Sequence, residues 1–313
     1  MKGITEAIDF SEGKLRELRE ALSASMPDGQ LVVTCGSYAR REASPSSDMD
    51  YYSILDDGTD KSLTPPWDAP LRNEIEGRVG KLPAAQGAFA TNVGEQELLE
   101  NYGGSRDSND TITRRMLYLL EGDYLTCPEK FKALRRRIIE RYVDHTPGDH
   151  QLAFYLLNDI IRYWRTLAVD YADKTYGVEN PKPWAVRNIK LIFSRKLIYA
   201  SGLFSVALTA DRTKEDKCDI LEDMFNRTPL DRLRYVSGDI AIERLFQMYS
   251  FFLDQLSDPS VRQHLDTLTT ETGRLDKIFR RLKNEGHYFS RELMGVFTRT
   301  FHASHPIHMA VIF

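Results

Sequence analysis

The chain has 313 residues, of which 42% are hydrophobic, 11% aromatic and 28% charged. That is globular composition, and it excludes collagen-like, low-complexity and wholly disordered chains. Forty-two basic residues against 46 acidic ones leave a formal charge of −4, so nothing global points to nucleic acid or an anionic membrane.

The length suits about two domains. There is no run of about 18 apolar residues, so no transmembrane helix is expected. Met1 to Glu6 lacks an apolar core, so no signal peptide is expected either. Cys35, Cys127 and Cys218 are far apart and odd in number. They fit neither a disulfide framework nor a zinc ribbon, and a reducing cytoplasm is the simplest compartment.

In chain order, residues 10–25 read as an amphipathic helix, with Phe10, Leu15, Leu18 and Leu22 at helical spacing. Pro27-Asp28-Gly29 makes a turn. Leu31 to Cys35 is a short β-rich run ended by Gly36, and residues 38–43 suit one or two helical turns. Asp48 to Leu55 alternates and is β-rich, which predicts a strand. A loop rich in Asp, Gly, Thr and Pro follows to Pro66, then a helix near 68–80 and a third strand over Gly87 to Val93. Asp110 or Thr111 can cap a helix to Glu121, closed by Gly122, and Pro128 opens another. From about 149 onward strand signals almost vanish. Long helices are predicted at about 150–173, 183–200, 237–256 and 259–284. The expected fold is α+β: a small mixed sheet with flanking helices over 1–145, then an all-α helical bundle over 146–313. Arg114-Arg115, Arg135-Arg136-Arg137 and Arg280-Arg281 read as solvated helix faces.

The chemistry concentrates in Gly36-Ser37-Tyr38-Ala39-Arg40-Arg41-Glu42-Ala43-Ser44-Pro45-Ser46-Ser47-Asp48-Met49-Asp50. Gly36-Ser37 follows a strand and precedes a helix start. That puts free backbone N–H groups, a helix dipole and one hydroxyl at a single point suited to a phosphate. Asp48 and Asp50 stand two apart on the predicted strand, so both carboxylates project from one face. Like charges that close repel unless a cation lies between them, and hard oxygen ligands suit Mg²⁺ or Mn²⁺. A phosphate cradle followed by a metal-binding carboxylate pair is a layout for nucleotide transfer.

These residues resemble the polymerase-β-type nucleotidyltransferase superfamily, and within it the PII-protein uridylyltransferases and the nucleotidyltransferases related to them. Gly36, Ser37, Tyr38, Ala39, Arg40, Glu42, Pro45, Ser47, Asp48 and Asp50 all fall on the pattern of that group. The match is good over about 30–55 and weakens toward 145, through Asp110-Thr111 to Leu120 and Gly122-Asp123. The resemblance implies Asp48 and Asp50 as catalytic metal ligands and Gly36, Ser37, Arg40 and Ser47 as nucleotide-binding residues. The third carboxylate of many members has no counterpart in Gly87 to Val93, while Glu95, Glu97 and Asp107 are nearby acids.

In the helical half, Asn158, Arg162 and Arg165 form a polar stripe, and Arg187, Lys190 and Ser194 share a face at i, i+3 and i+7. In two-domain nucleotidyltransferases such groups often reach the triphosphate, so Lys190 and Ser194 are added as nucleotide-binding candidates. His302, His305 and His308 recur every three residues, but Pro306 breaks a helix there and no acid supports a metal. Arg281 to His287 has the Arg-x5-His outline of HEPN ribonucleases, with Gly286 expected to interrupt the helix. The expected function is transfer of an NMP from an NTP to a hydroxyl of a protein, a tRNA end or a small molecule, with no membrane partner. The alternative is a toxin–antitoxin or defence module whose helical half acts as a ribonuclease or regulatory partner.

Overall fold

The computed structural model describes residues 1–56, 58–60, 64–80, 92–100, 102–145, 148–176 and 183–312. It is mixed α+β. The elements run α1 (Lys2–Ser25), β1 (Leu31–Cys35), α2 (Gly36–Ala39), β2 (Asp50–Leu55), α3 (Asp68–Val79), β3 (Val93–Gly94), α4 (Glu95–Leu99), α5 (Asn109–Glu121), β4 (Gly122–Tyr124) and α6 (Pro128–Asp144). Then come α7 (Phe154–Tyr176), α8 (Trp184–Lys190), a π-helical turn (Leu191–Arg195), α9 (Lys196–Ala207), α10 (Lys214–Phe225) and α11 (Pro229–Ser237). The last are α12 (Glu243–Ser257), α13 (Pro259–Thr267), α14 (Thr270–Gly273), α15 (Lys277–Thr300) and α16 (Pro306–Ala310). None of the described helices is long and apolar enough to cross a membrane.

The chain divides into two compact units. A sheet unit holds Ala7–Pro147 and Lys214–Thr228, and a helical unit holds Met1–Glu6, Gly148–Thr213 and Pro229–Phe313. The sheet order is β3-β2-β1-β4, with β1 antiparallel to both β2 and β4, and β2 parallel to β3. The run Leu-Val-Val-Thr-Cys is buried on both faces because β1 is internal. Val32 packs with Leu15, Leu18 and Leu22 of α1, Tyr51, and Leu71 and Ile75 of α3. On the opposite face the Cys35 thiol lies 3.8 Å from the Leu117 carbonyl of α5. The register pairs Cys35 with Asp50, and this positions the motif.

Several sequence expectations shift. The first helix begins at Lys2 and not near residue 10, and β2 begins at Asp50 and not at Asp48. Ser108, not Asp110 or Thr111, caps α5, with its hydroxyl accepting the Thr111 N–H at 3.2 Å. Of the predicted third strand, residues 87–91 lie outside the described residues, and Val93 enters β3 beside Ile54. The predicted helix 259–284 is three helices, broken where Asp276 caps α15 by accepting the Phe279 N–H at 2.8 Å.

Two segments belong to units their sequence position does not suggest. Gly3 lies against α12, where an added Cβ would sit 2.8 Å from the Asp254 amide, and the Ile4 N–H points to the Ser250 hydroxyl at 3.4 Å. Helix α10 packs on α6. There Arg136 meets Asp219 at 2.5 Å and Glu222 at 3.0 Å, and Arg135 meets the Asn226 amide oxygen at 2.8 Å.

Candidate functional site

The corner between β1 and β2 brings Gly36 and Asp50 together. Gly36 has φ +72°, a conformation glycine adopts without cost. A Cβ placed on it would lie 3.0 Å from Asp50 Oδ2, so only a bare backbone leaves that carboxylate where it is. The short helix α2 starts at this residue, with the Arg40 N–H donating to the Gly36 carbonyl at 3.0 Å. Ser37 is half-buried, and its carbonyl accepts the Glu42 N–H at 2.8 Å, which folds the segment back toward β2. The Thr34 hydroxyl donates to the Asp50 carbonyl at 3.0 Å and fastens the first residue of β2 to β1.

The two aspartates are not equivalent. Asp50 is half-buried as the first residue of β2, and Asp48 is exposed just before it. Burial pushes the Cys35 thiol well up, and the charges of Glu121 and Asp50 push it further. Burial also pushes the Tyr38 hydroxyl up to about 12, with the Asp48 charge adding to it. Each carboxylate is therefore felt by a buried neighbour on the segment that starts the motif.

Arg40 and Ser47 are placed as braces. Arg40 meets Glu42 at 2.9 Å and also pairs closely with Glu121 at the end of α5. Ser47 closes the turn before the aspartates: its N–H donates to the Ser44 carbonyl at 2.9 Å, and its hydroxyl accepts the Ser44 N–H at 3.1 Å. In the sequence Glu121 stands only as a helix end and Asp123 only in the weak part of the resemblance, with no role expected of either. Asp123 of β4 takes Arg41 at 2.7 Å and Arg19 at 2.8 Å, binding the motif to α1. The signal available was position alone, since both acids follow the apolar run of α5.

The nearby acids weighed as a third carboxylate are all engaged in ion pairs. Glu95 pairs with Arg137, Glu97 lies 3.3 Å from Arg114, and Asp107 grips Arg115 at 2.8 and 2.9 Å. Among the described residues no group of three or more His, Cys, Asp or Glu is placed to hold a metal. The corner supplies two carboxylates, hard oxygen donors of the kind Mg²⁺ takes, beside a backbone that a Cβ would crowd.

Lys190 and Ser194 lie in the helical unit, on α8 and in the π turn. Ser194 is buried, and the Tyr249 hydroxyl approaches its own at 3.3 Å. The expected i, i+3, i+7 face assumed an unbroken α-helix. A π turn bonds i to i+5 and takes up one extra residue, so each later side chain moves one position around the axis. Arg195, not Ser194, then stands over Arg187, and the Arg195 charge is felt at Arg187.

Gly286 does not interrupt a helix. It lies inside α15, where an added Cβ would collide with Ile192 of the π turn. Arg281 and His287 are both exposed on that helix, six residues and therefore about 120° apart. The Arg281 guanidinium lies 4.9 Å over the Phe251 ring, so α15 does not gather the pair on one face. Of the three C-terminal histidines, His302 bonds the Ser304 hydroxyl at 3.0 Å, His305 accepts the Ile307 N–H at 3.2 Å, and His308 bonds the Phe301 carbonyl at 3.0 Å.

A comparison with protein-family models finds no match, and a comparison with curated proteins finds none either.

Proposed function

We propose that the chain transfers a nucleotidyl group from an NTP to a hydroxyl acceptor, with pyrophosphate leaving. The observation that carries this reading is the 3.0 Å approach of the Gly36 Cβ position to Asp50 Oδ2, which puts a bare backbone turn beside a carboxylate. In this reading the Gly36-Ser37 turn takes a phosphate, because no side chain shields its backbone and the Ser37 hydroxyl adds a donor. Asp48 and Asp50 would hold Mg²⁺ or Mn²⁺, which when bound shields phosphate charge and lowers the pKa of an attacking hydroxyl. Arg40 holds the turn in place through Glu42 and Glu121, and its charge is largely spent on those partners.

The test is pyrophosphate release from purified protein given each NTP in turn with Mg²⁺. Asp50→Asn and Asp48→Asn are each expected to remove measurable release while leaving the unfolding midpoint close to wild type, since neither carboxylate is deeply buried. Release unchanged in both variants would overturn the assignment.

A further inference from the structure

The segment from α8 into the π turn carries two arginines that are only partly compensated among the described residues. Arg187 Nε and Arg195 Nη1 are buried and have no hydrogen-bond partner among the described residues. Buried donors are nearly always paired, so two such nitrogens on neighbouring guanidiniums require an explanation. Asp170 of α7 forms an ion pair with Arg187, its Oδ2 3.6 Å from Arg187 Nη2 and so outside hydrogen-bond range. Asp170 is also shared, with Lys174 at 2.6 Å. Burial lowers the Arg187 pKa, and the Arg195 charge lowers it further.

The π turn makes this pairing. On an unbroken α-helix, residues eight apart lie about 80° apart around the axis, while seven apart they lie within about 20°. The extra residue in the turn converts the first spacing into the second and puts Arg187 and Arg195 on one face of the helix. Π turns inside α-helices recur at functional sites. Like charges held near each other and half-buried are stabilised by an anion, and a tetrahedral oxyanion accepts from two guanidinium forks at once.

We propose that Arg187 and Arg195 form a binding site for a phosphoryl oxyanion within the helical unit. The site lies wholly on residues of the helical unit, and its test reads binding without turnover.

The experiment titrates inorganic phosphate into the full chain by calorimetry and follows thermal unfolding with and without it. Wild type is expected to bind saturably. Arg187→Gln and Arg195→Gln are each expected to weaken binding about tenfold or more. Asp170→Asn, which removes the shared counter-charge, is expected to tighten it, and Asp50→Asn to leave it unchanged.

Without phosphate, Arg195→Gln is expected to melt above wild type, because it removes a half-buried like charge; with phosphate the order reverses. That reversal separates loss of a site from loss of the fold. Arg195→Lys keeps the charge without the fork and is expected to fall between. In the Asp50→Asn background, ATP that displaces phosphate identifies a nucleotide-borne phosphoryl group, and ATP that does not identifies the free ion; the site stands in either case. Phosphate that fails to bind, binds both glutamine variants as it binds wild type, or is lost only in Asp50→Asn overturns the proposal.

Discussion

Two arginines of the sheet unit and two of the helical unit are compensated differently. In the sheet unit Arg40 is faced by Glu42 and Glu121, and Arg115 is gripped through two oxygens of Asp107 while the Tyr142 hydroxyl meets its Nε at 2.8 Å. In the helical unit Arg187 has one carboxylate, Asp170, at 3.6 Å, which Lys174 also takes at 2.6 Å, and the Arg195 charge is felt at Arg187. Residue type is the same in both places, so the count of opposing oxygens separates an arginine that holds the fold from one poised to hold a ligand. Substitutions test that distinction most directly where compensation is complete.

The largest effect is expected at Asp107. Its side chain is 1% exposed and that of Arg115 is 0% exposed. Asp107→Ala strands a guanidinium in the interior, and breaking a buried pair from one side costs about 3–5 kcal/mol. Denaturant unfolding measures it. A loss under about 1 kcal/mol, the usual range of an exposed pair, would show that the pair is not buried as described.

Gly36→Ala comes next. At φ +72° a side chain is strained, which costs about 1–3 kcal/mol, and the new Cβ presses on Asp50 Oδ2. Nucleotidyl transfer should fall by more than the stability loss explains, because the carboxylate must move. Full activity in a merely less stable protein would separate Gly36 from the chemistry. Ser37→Ala should do less: one hydroxyl bond is worth about 1–2 kcal/mol, seen as a higher KM for NTP with folding intact.

How much of this was legible in the sequence depended on how local the cause was. Strand β1 was readable because five buried residues end at Gly36, and the motif was readable because its parts are close in sequence. The second half of the story was not. Helix α9 buries Leu197, Ile198, Leu203, Phe204 and Val206 on several sides, so its apolar pattern has no single stripe whose shift would betray the π turn. The same turn moved Ser194 into the core and Arg195 onto the face expected for it. Helix α10 escaped notice because its partners on α6 stand more than eighty residues away, as Arg136 and Asp219 do. Glu121 was invisible as the partner of Arg40 for the same reason.

The smallest expected effect is at His305, where the helical unit has a charge response that the paired arginines of the sheet unit lack. His305 caps α16, and its Nδ1 accepts the Ile307 N–H at 3.2 Å, a bond only the neutral ring can accept. Burial lowers its pKa, the neighbouring His308 lowers it further, and Asp211 opposes them. A histidine whose folded pKa lies below its unfolded value favours folding when neutral. Its contribution is complete above the unfolded value of about 6.5 and is lost as pH falls through the lower folded value. His305→Asn keeps a capping oxygen without a titrating ring. The two proteins should be similarly stable near pH 7.5, roughly a unit above that value, and wild type should lose ground to the variant toward pH 5. Every other titrating group is present in both, so the difference between their unfolding curves reports His305 together with its coupling to His308, and parallel curves across that range would show that its protonation is not coupled to the fold.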